Sequence, residues 1–249
     1  MPLLRTAVLV LLVLGAAAGG QGAGRASAQG APTGWDPRFN TPGVRFTVEE
    51  AAREILDGVT RVTYYPRTSG FPQGKTYVIW TWPLGAAPEK TDFQYRADAE
   101  GRLISRGAYP DWDDFAFAVD HFANGMPLRL AVLSTDQAVA AYVKAFPFPI
   151  EASDGFCHLQ AELLSADGRS FAVSGEGFGP SEEVVVLSRF DGQASREAKA
   201  VLDDGSLPTI DITPNVPGKD SGSASLTVGG RFCAPTVHFE WGPPALKAQ

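Results

Sequence analysis

Short runs of apolar and β-branched residues, separated by turn residues, recur along most of the chain. They follow one another at intervals of about 8–12 residues, which is typical of an all-β sandwich. Turns such as Asp167-Gly168 and Asp204-Gly205 separate them. The predicted strands span 62–65, 76–82, 93–97, 115–119, 128–133, 138–146, 157–163, 171–173, 183–187, 198–202, 210–212, 224–228 and 236–241.

One segment near the N-terminus has helical periodicity instead. Thr47, followed three residues later by Glu50, has the pattern of a capping box. An apolar stripe at helical spacing follows, formed by Val48, Ala51, Ala52, Ile55 and Leu56. With Gly58 as its stop signal, this pattern predicts one short helix that covers the edge or end of a sheet.

An internal repeat indicates two domains. The ten residues that begin at Gly70-Phe71 align without a gap on the ten that begin at Gly177-Phe178. In both copies an acidic turn that ends in glycine follows about thirty residues later, at Gly101 and at Gly205. The offset of roughly 100 residues is one immunoglobulin-like domain length. We therefore predict two tandem immunoglobulin-like β-sandwiches, at 47–150 (helix included) and 151–249, after an extended arm at 29–46.

The turn Gly177-Phe178-Gly179-Pro180-Ser181-Glu182-Glu183-Val184 resembles those of bacterial extracellular immunoglobulin-like domains, including the IPT/TIG group. The late half of the first domain resembles the end of a fibronectin type III domain. The resemblance covers most of 60–245 and implies a fold. It implies no catalytic residues, because such sandwiches carry many unrelated functions.

The first 28 residues have the order of a secretory signal peptide. Arg5 precedes an apolar run at 7–18, and Ala26-Ser27-Ala28 forms an A-x-A cleavage site, with 16–18 as the alternative site. The apolar run is shorter than the roughly 20 residues of a spanning helix, so an uncleaved anchor is the weaker alternative. We expect a secreted, periplasmic or extracellular protein with no membrane span in the mature chain.

The formal net charge of −7 argues against nucleic acid as a partner, because phosphate binding needs clustered Lys and Arg. The two cysteines, Cys157 and Cys233, can form a single disulfide in an oxidising compartment. The alternatives are two free thiols, or a nucleophilic Cys157 paired with His158. Adjacent residues of a strand point to opposite faces, so the nucleophile is disfavoured.

An acidic loop precedes the strand at 115–119. Its carboxylates, Asp111, Asp113 and Asp114, are hard oxygen ligands that suit Ca²⁺, although the EF-hand pattern is not met. The alternatives are a solvated loop and a pair of acid and base carboxylates in a hydrolase, with Asp120-His121 close behind. We expect no cofactor other than, at most, Ca²⁺ here.

Aromatic residues concentrate in the first half of the chain. Trp82, Tyr109 and Trp112 are candidates for stacking on a sugar ring, with Trp82, at the end of its strand, the more exposed of Trp80 and Trp82. The alternative is core packing. No hydrolase elbow, phosphate loop, dinucleotide fingerprint or H-E-x-x-H motif occurs.

The sequence therefore favours a non-enzymatic binding or structural protein, whose partner is a protein or a cell-surface polymer. The alternatives are a carbohydrate-binding accessory protein that uses the aromatic residues of the first domain, and a carboxylate-dependent hydrolase.

Overall fold

The computed structural model describes the backbone of residues 8–10 and all of residues 34–105 and 116–249. These residues form an all-β sandwich fold divided into two compact units. The first unit contains the described residues up to His121 together with Leu128–Ala145, and the second contains Phe122–Pro127 and Phe146–Gln249.

The described residues of the first unit form nine strands in two sheets. In chain order they are β1 (Val8–Val10), β2 (Arg45–Leu56), β3 (Val59–Ser69), β4 (Tyr77–Thr81), β5 (Glu89–Ala97), β6 (Leu103–Ser105), β7 (Ala116–Val119), β8 (Leu128–Ser134) and β9 (Ala140–Ala145). The sheet orders are β1-β7-β3-β2 and β6-β5-β4-β8-β9. All neighbours are antiparallel except β1 and β7, and β1 lies within the predicted signal peptide.

The second unit contains eight antiparallel strands in two four-stranded sheets. They are β10 (Ile150–Asp154), β11 (Cys157–Leu163), β12 (Phe171–Glu176), β13 (Glu183–Phe190), β14 (Gln193–Ala200), β15 (Ile210–Ile212), β16 (Gly222–Gly229) and β17 (Thr236–Trp241). The sheet orders are β10-β11-β12-β15 and β14-β13-β16-β17.

Alternation of apolar and polar residues fills the core of each unit. On β11 every second residue from Cys157 to Leu163 is buried, and β17 alternates in the same way. Aromatic pairs anchor both interiors. Phe71 packs edge-on against Tyr77 with ring centroids 5.1 Å apart, and Phe171 lies 4.4 Å from Phe239.

The internal repeat is a repeated backbone arrangement, which we call the Gly-Phe clasp. In the first unit the N–H of Phe71 donates to the carbonyl of Gly101 (3.0 Å), and in the second the N–H of Phe178 donates to Gly205 (3.2 Å). Both phenylalanine side chains are buried. Each clasp therefore links the acidic turn to the loop that contains the phenylalanine and leads into the next strand.

The predicted helix near the N-terminus is wrong. Residues 45–56 form β2, which pairs along its whole length with β3. Asp57 and Gly58 form the two-residue turn between the strands, and both have positive φ (51° and 81°), as a type I′ hairpin requires. Gly58 is thus the second residue of a hairpin turn rather than a helix stop. Pairing with the β-branched and aromatic residues of β3 outweighs the local helical pattern.

β2 is an edge strand, and its residues from Glu49 to Leu56 are exposed. A β-bulge between Glu50 and Ala52 interrupts its ladder, and charged side chains line it at Glu49, Glu50, Arg53 and Glu54. Bulges and charges are the usual protection of an edge strand against pairing with another chain.

Most of the other predicted strands are present, and those at 157–163, 210–212 and 236–241 have the predicted bounds. The prediction omitted β1, β6 and β10. It also placed the strand at 198–202 too late, because β14 pairs with β13 from Gln193 to Ala200 around the Asp191-Gly192 turn. β14 is almost wholly exposed, so it lacks the apolar residues by which strands were predicted.

The Gly101→Ala substitution tests the clasp. A Cβ at Gly101 would lie 2.7 Å from the backbone nitrogen of Gly70, whereas one at Gly74 would meet nothing within 4 Å. Both glycines have positive φ (75° and 80°), so Gly74→Ala supplies the matched control for backbone strain alone. We expect Gly74→Ala to lower the free energy of unfolding by about 1 kcal/mol and Gly101→Ala by about 2–4 kcal/mol, measured by urea denaturation. Equal losses in the two variants would contradict the clasp.

Candidate functional site

Several predicted site residues cannot be placed. Tyr109, Trp112 and the proposed calcium ligands Asp111, Asp113 and Asp114 lie within 106–115, outside the described residues. In the ranges that the structure does describe, no group of three or more His, Cys, Asp or Glu residues is arranged to hold a metal ion. The calcium loop and the stacking role of Tyr109 and Trp112 stay predictions.

Trp82 is buried rather than exposed, contrary to the sequence prediction, with only 8% of its surface accessible. It packs with Ala131 and Leu133 on one face of the β4–β8 sheet, and Trp80 and Tyr142 lie against this cluster. The ring centroids of Trp80 and Trp82 are 6.4 Å apart with their planes tilted by 43°. The pair therefore forms a packed aromatic cluster instead of a flat stacking surface.

The arm before β2 contributes to the same cluster. Trp35 packs on it and donates from Nε1 to the carbonyl of Leu130 (3.2 Å). Farther along, the Asn40 side chain accepts from the N–H of Tyr142 (2.6 Å) and Thr41 Oγ1 accepts from the N–H of Ala140 (2.9 Å). These bonds occupy backbone donors of β9, so the described part of the arm is docked on its own sheet.

One polar constellation follows β7. Asp120 binds Nδ1 of His121 through Oδ1 (2.9 Å) and accepts from the guanidinium of Arg61 through Oδ2 (3.2 Å). The hydrogen bond from His121, with the one from Arg61, lowers the pKa of the Asp120 carboxyl. His121 has a positive φ of 61° and an exposed ring. No Ser, Thr or Cys of the described residues hydrogen-bonds to it, so the structure shows no nucleophile and base pair here.

The predicted disulfide between Cys157 and Cys233 is present, with the two Cα atoms 6.1 Å apart. Cys157 begins β11, and Cys233 lies in the connection between β16 and β17. The bond therefore joins the start of β11 to the β16–β17 connection, at the same end of the second unit.

A phenylalanine precedes each cysteine, and both are almost fully exposed. Phe156 is 94% accessible and Phe232 is 83% accessible. Phe156 occupies the second position of the two-residue turn between β10 and β11. We call these two connections, 155–156 and 230–235, the Phe loops.

The Phe loops are held in place from several sides. The Asp154 carboxylate, at the end of β10 directly before one loop, accepts from the N–H of Ala234 in the other (2.7 Å). Gly177 approaches the carbonyl of Phe156 so closely that a Cβ there would lie 1.9 Å from its oxygen. The guanidinium of Arg231 lies 5.1 Å from the ring centroid of Phe232. The loops are thus an ordered presentation of two large apolar side chains.

The same end of the unit is acidic. The antiparallel topology brings the connections β12–β13 and β14–β15 to this end, and Ser181 Oγ donates across them to Asp203 (2.7 Å). The carboxylates there are those of Asp154, Glu176, Glu182, Glu183, Asp203 and Asp204. Arg231 is the one Lys or Arg within these connections. The Phe loops are therefore bordered by negative charge.

Sequence reasoning missed Phe156 and Phe232. The usable signal was local, because each aromatic residue stands inside a polar turn, after Asp154-Gly155 and after Gly230-Arg231. Turns are usually polar, so a phenylalanine within a turn contributes little to the core.

A scan of protein-family models and a search of curated proteins both found no match to this chain. The helical segments among the described residues are two short 3-10 turns, Pro37–Phe39 and Pro243–Leu246, and neither is long or apolar enough to cross a membrane.

The pH dependence of stability tests the Asp120 constellation. Because folding lowers the pKa of this carboxyl, it stabilises the folded chain above the unfolded-state pKa of about 3.9, and this contribution is lost as the pH falls through the lower folded-state value. We expect Asp120→Asn to lower the melting temperature at pH 7 and the difference from wild type to shrink below about pH 4. Asp92→Asn, at an exposed position on β5, is the control. A deficit in Asp120→Asn that is constant down to pH 2 would contradict the assignment.

Proposed function

We propose that the mature chain is an exported, non-enzymatic binding protein, and that its docking surface is formed by the Phe loops. The observation that carries the proposal is the exposure of Phe156 and Phe232, each of which directly precedes a cysteine of the disulfide. Leaving two phenyl rings in water has no folding benefit, whereas burying each against a partner contributes about 1.5–3 kcal/mol. Ordered aromatic side chains are the usual anchors of protein interfaces.

The surrounding charge favours one class of partner. Carboxylates at Glu176, Glu182, Asp203 and Asp204 would be repelled by an anionic lipid surface and attracted by Lys and Arg. The partner that fits is a protein with an apolar pocket bordered by basic residues. Stacking on a cell-surface sugar has less support, since Trp80 and Trp82 are packed into the first unit.

The finer fold assignment belongs to the same proposal. We infer that both units are immunoglobulin-like sandwiches of about 100 residues, joined in tandem. The recurrence of the Gly-Phe clasp at Phe71 and Phe178 supports a common origin for the two units.

Export is tested at the N-terminus. We expect mass spectrometry of the protein recovered outside the cytoplasm to give Gln29 as its first residue, because Ala26-Ser27-Ala28 supplies the small residues that a signal peptidase needs. A full-length chain retained inside the cell would contradict the proposal.

The docking surface is tested with paired variants. A photo-crosslinking amino acid is placed at Phe156 of the mature chain, which is then incubated with a surface extract of the cells that export it. After irradiation, we expect one discrete crosslinked protein. Binding of that protein should weaken at least about tenfold in Phe156→Ser and in Phe232→Ser, and should weaken further with added salt. Both side chains are exposed, so folding should be unaffected.

Ile55→Ser is the matched control, because Ile55 is also an exposed apolar residue (74%) but lies on β2 of the first unit. Ile55→Ser should bind as wild type does. Capture that survives the Phe156→Ser/Phe232→Ser double substitution, or is lost equally in Ile55→Ser, would overturn the proposed surface.

A further inference from the structure

A cleft of about 500 Å³ lies within the second unit, away from the connections that carry the Phe loops. It lies where the β13–β14 turn, the start of β16, the end of β17 and the C-terminal segment meet. Its volume is in the range of small-molecule sites. Most of its lining residues carry polar or charged side chains, which distinguishes it from the apolar Phe loops.

The strand register arranges its side chains in two rows. Ser225 of β16 pairs with Arg189 of β13 on one side and with His238 of β17 on the other. Two residues along β16, Ser223 pairs with Glu240, and the backbone N–H of Asp191 donates to the Ser223 carbonyl (3.3 Å). Short serine side chains thus form a floor between longer charged ones.

The two rows carry opposite charge. Arg189 makes the first row positive, and Lys247 of the C-terminal segment adds a second cation to the lining. Glu240 and Asp191 make the second row negative. Residues two apart on a strand are about 6.7 Å apart and neighbouring strands about 4.8 Å apart. The Cα atoms of Arg189 and Glu240, which are two residues and two strands apart, are therefore about 12 Å from each other.

These charges are available to a ligand. Arg189, Lys247 and Glu240 form no ion pair with any residue that the structure describes, whereas Asp191 has Lys219 3.7 Å away. Asp191 is anchored by its carboxylate as well, because Oδ1 accepts from the N–H of Ser223 (3.3 Å). Asp191 is therefore held in place, whereas Arg189, Lys247 and Glu240 have no ion-pair partner among the described residues.

The walls of the cleft are ordered by the C-terminus. Ala248 forms a β-bridge with Ala123, and the N–H of Gln249 donates to the carbonyl of Phe122 (3.1 Å). These bonds hold the segment that carries Lys247 beside β17. The cleft is preformed, which lowers the entropic cost of binding.

We propose that this cleft binds a small zwitterion of dipeptide size, with its carboxylate at Arg189 and its ammonium group at Glu240. An extended dipeptide spans about 7 Å between its charged ends. The remaining distance between the backbones of Arg189 and Glu240 is within the reach of their two side chains. The peptide amide would lie over the hydroxyls of Ser223 and Ser225. The site is independent of the Phe loops and of the partner proposed for them.

The probe is dialanine, titrated to about 20 mM into the mature, isotopically labelled chain and followed by amide chemical shifts. We expect shifts that saturate at Ser225, His238 and Glu240. N-acetyl-dialanine removes the positive end of the probe and dialanine amide removes the negative end. Each should bind about twofold to fivefold more weakly, as expected for an exposed charge pair.

Two variants and two controls localise the site. Arg189→Gln and Glu240→Gln should each weaken dialanine binding by a similar factor. Arg196→Gln and Glu197→Gln change charges on β14 of the same sheet, outside the cleft lining, and should leave binding unchanged.

The proposal is overturned if dialanine shifts no cleft amides, or if either blocked dipeptide binds as tightly as dialanine, which would show that only one charge is recognised. An equal loss in the β14 controls would also overturn it, because the effect would then be one of overall charge.

Discussion

The Gly-Phe clasp is the constraint on which both sandwiches depend. In each unit a glycine carbonyl on an acidic turn accepts from the N–H of a phenylalanine more than 20 residues earlier, at Gly101 for Phe71 and at Gly205 for Phe178. The bond fixes where the next strand begins, because the buried ring and the bonded backbone belong to the same residue. Tyr77 and Val184, which follow in these strands, are then fully buried in their cores.

The second unit adds a covalent constraint at one of its ends. Cys157 and Cys233 are 76 residues apart in sequence, and closing a loop of that length stabilises the fold by about 4–5 kcal/mol in the chain-entropy model. The bond also orders the two connections that expose Phe156 and Phe232. Connections that are ordered before binding lose little conformational entropy on binding, so the bond that stabilises the fold also favours the docking proposed for these connections.

The two proposed sites use different chemistry within one unit. The Phe loops present apolar area on an acidic surface, which fits a macromolecule. The cleft beside β17 presents Arg189 and Glu240 across a floor of serines, which fits a small ligand with both charges. Connections between strands supply the first site, and the outward residues of paired strands supply the second. This division follows from a sandwich whose inward residues are committed to the core.

The sequence by itself determined the all-β class, the repeat and the disulfide, because period-2 patterning, turn residues and a single cysteine pair are local or countable signals. Only the tertiary structure decided that residues 45–56 are a strand, since its pairing with β3 outweighs a helical stripe. It also decided that Trp82 is buried, and that Arg189 and His238 flank Ser225. Burial and cross-strand neighbours depend on residues distant in sequence, and no local pattern encodes them.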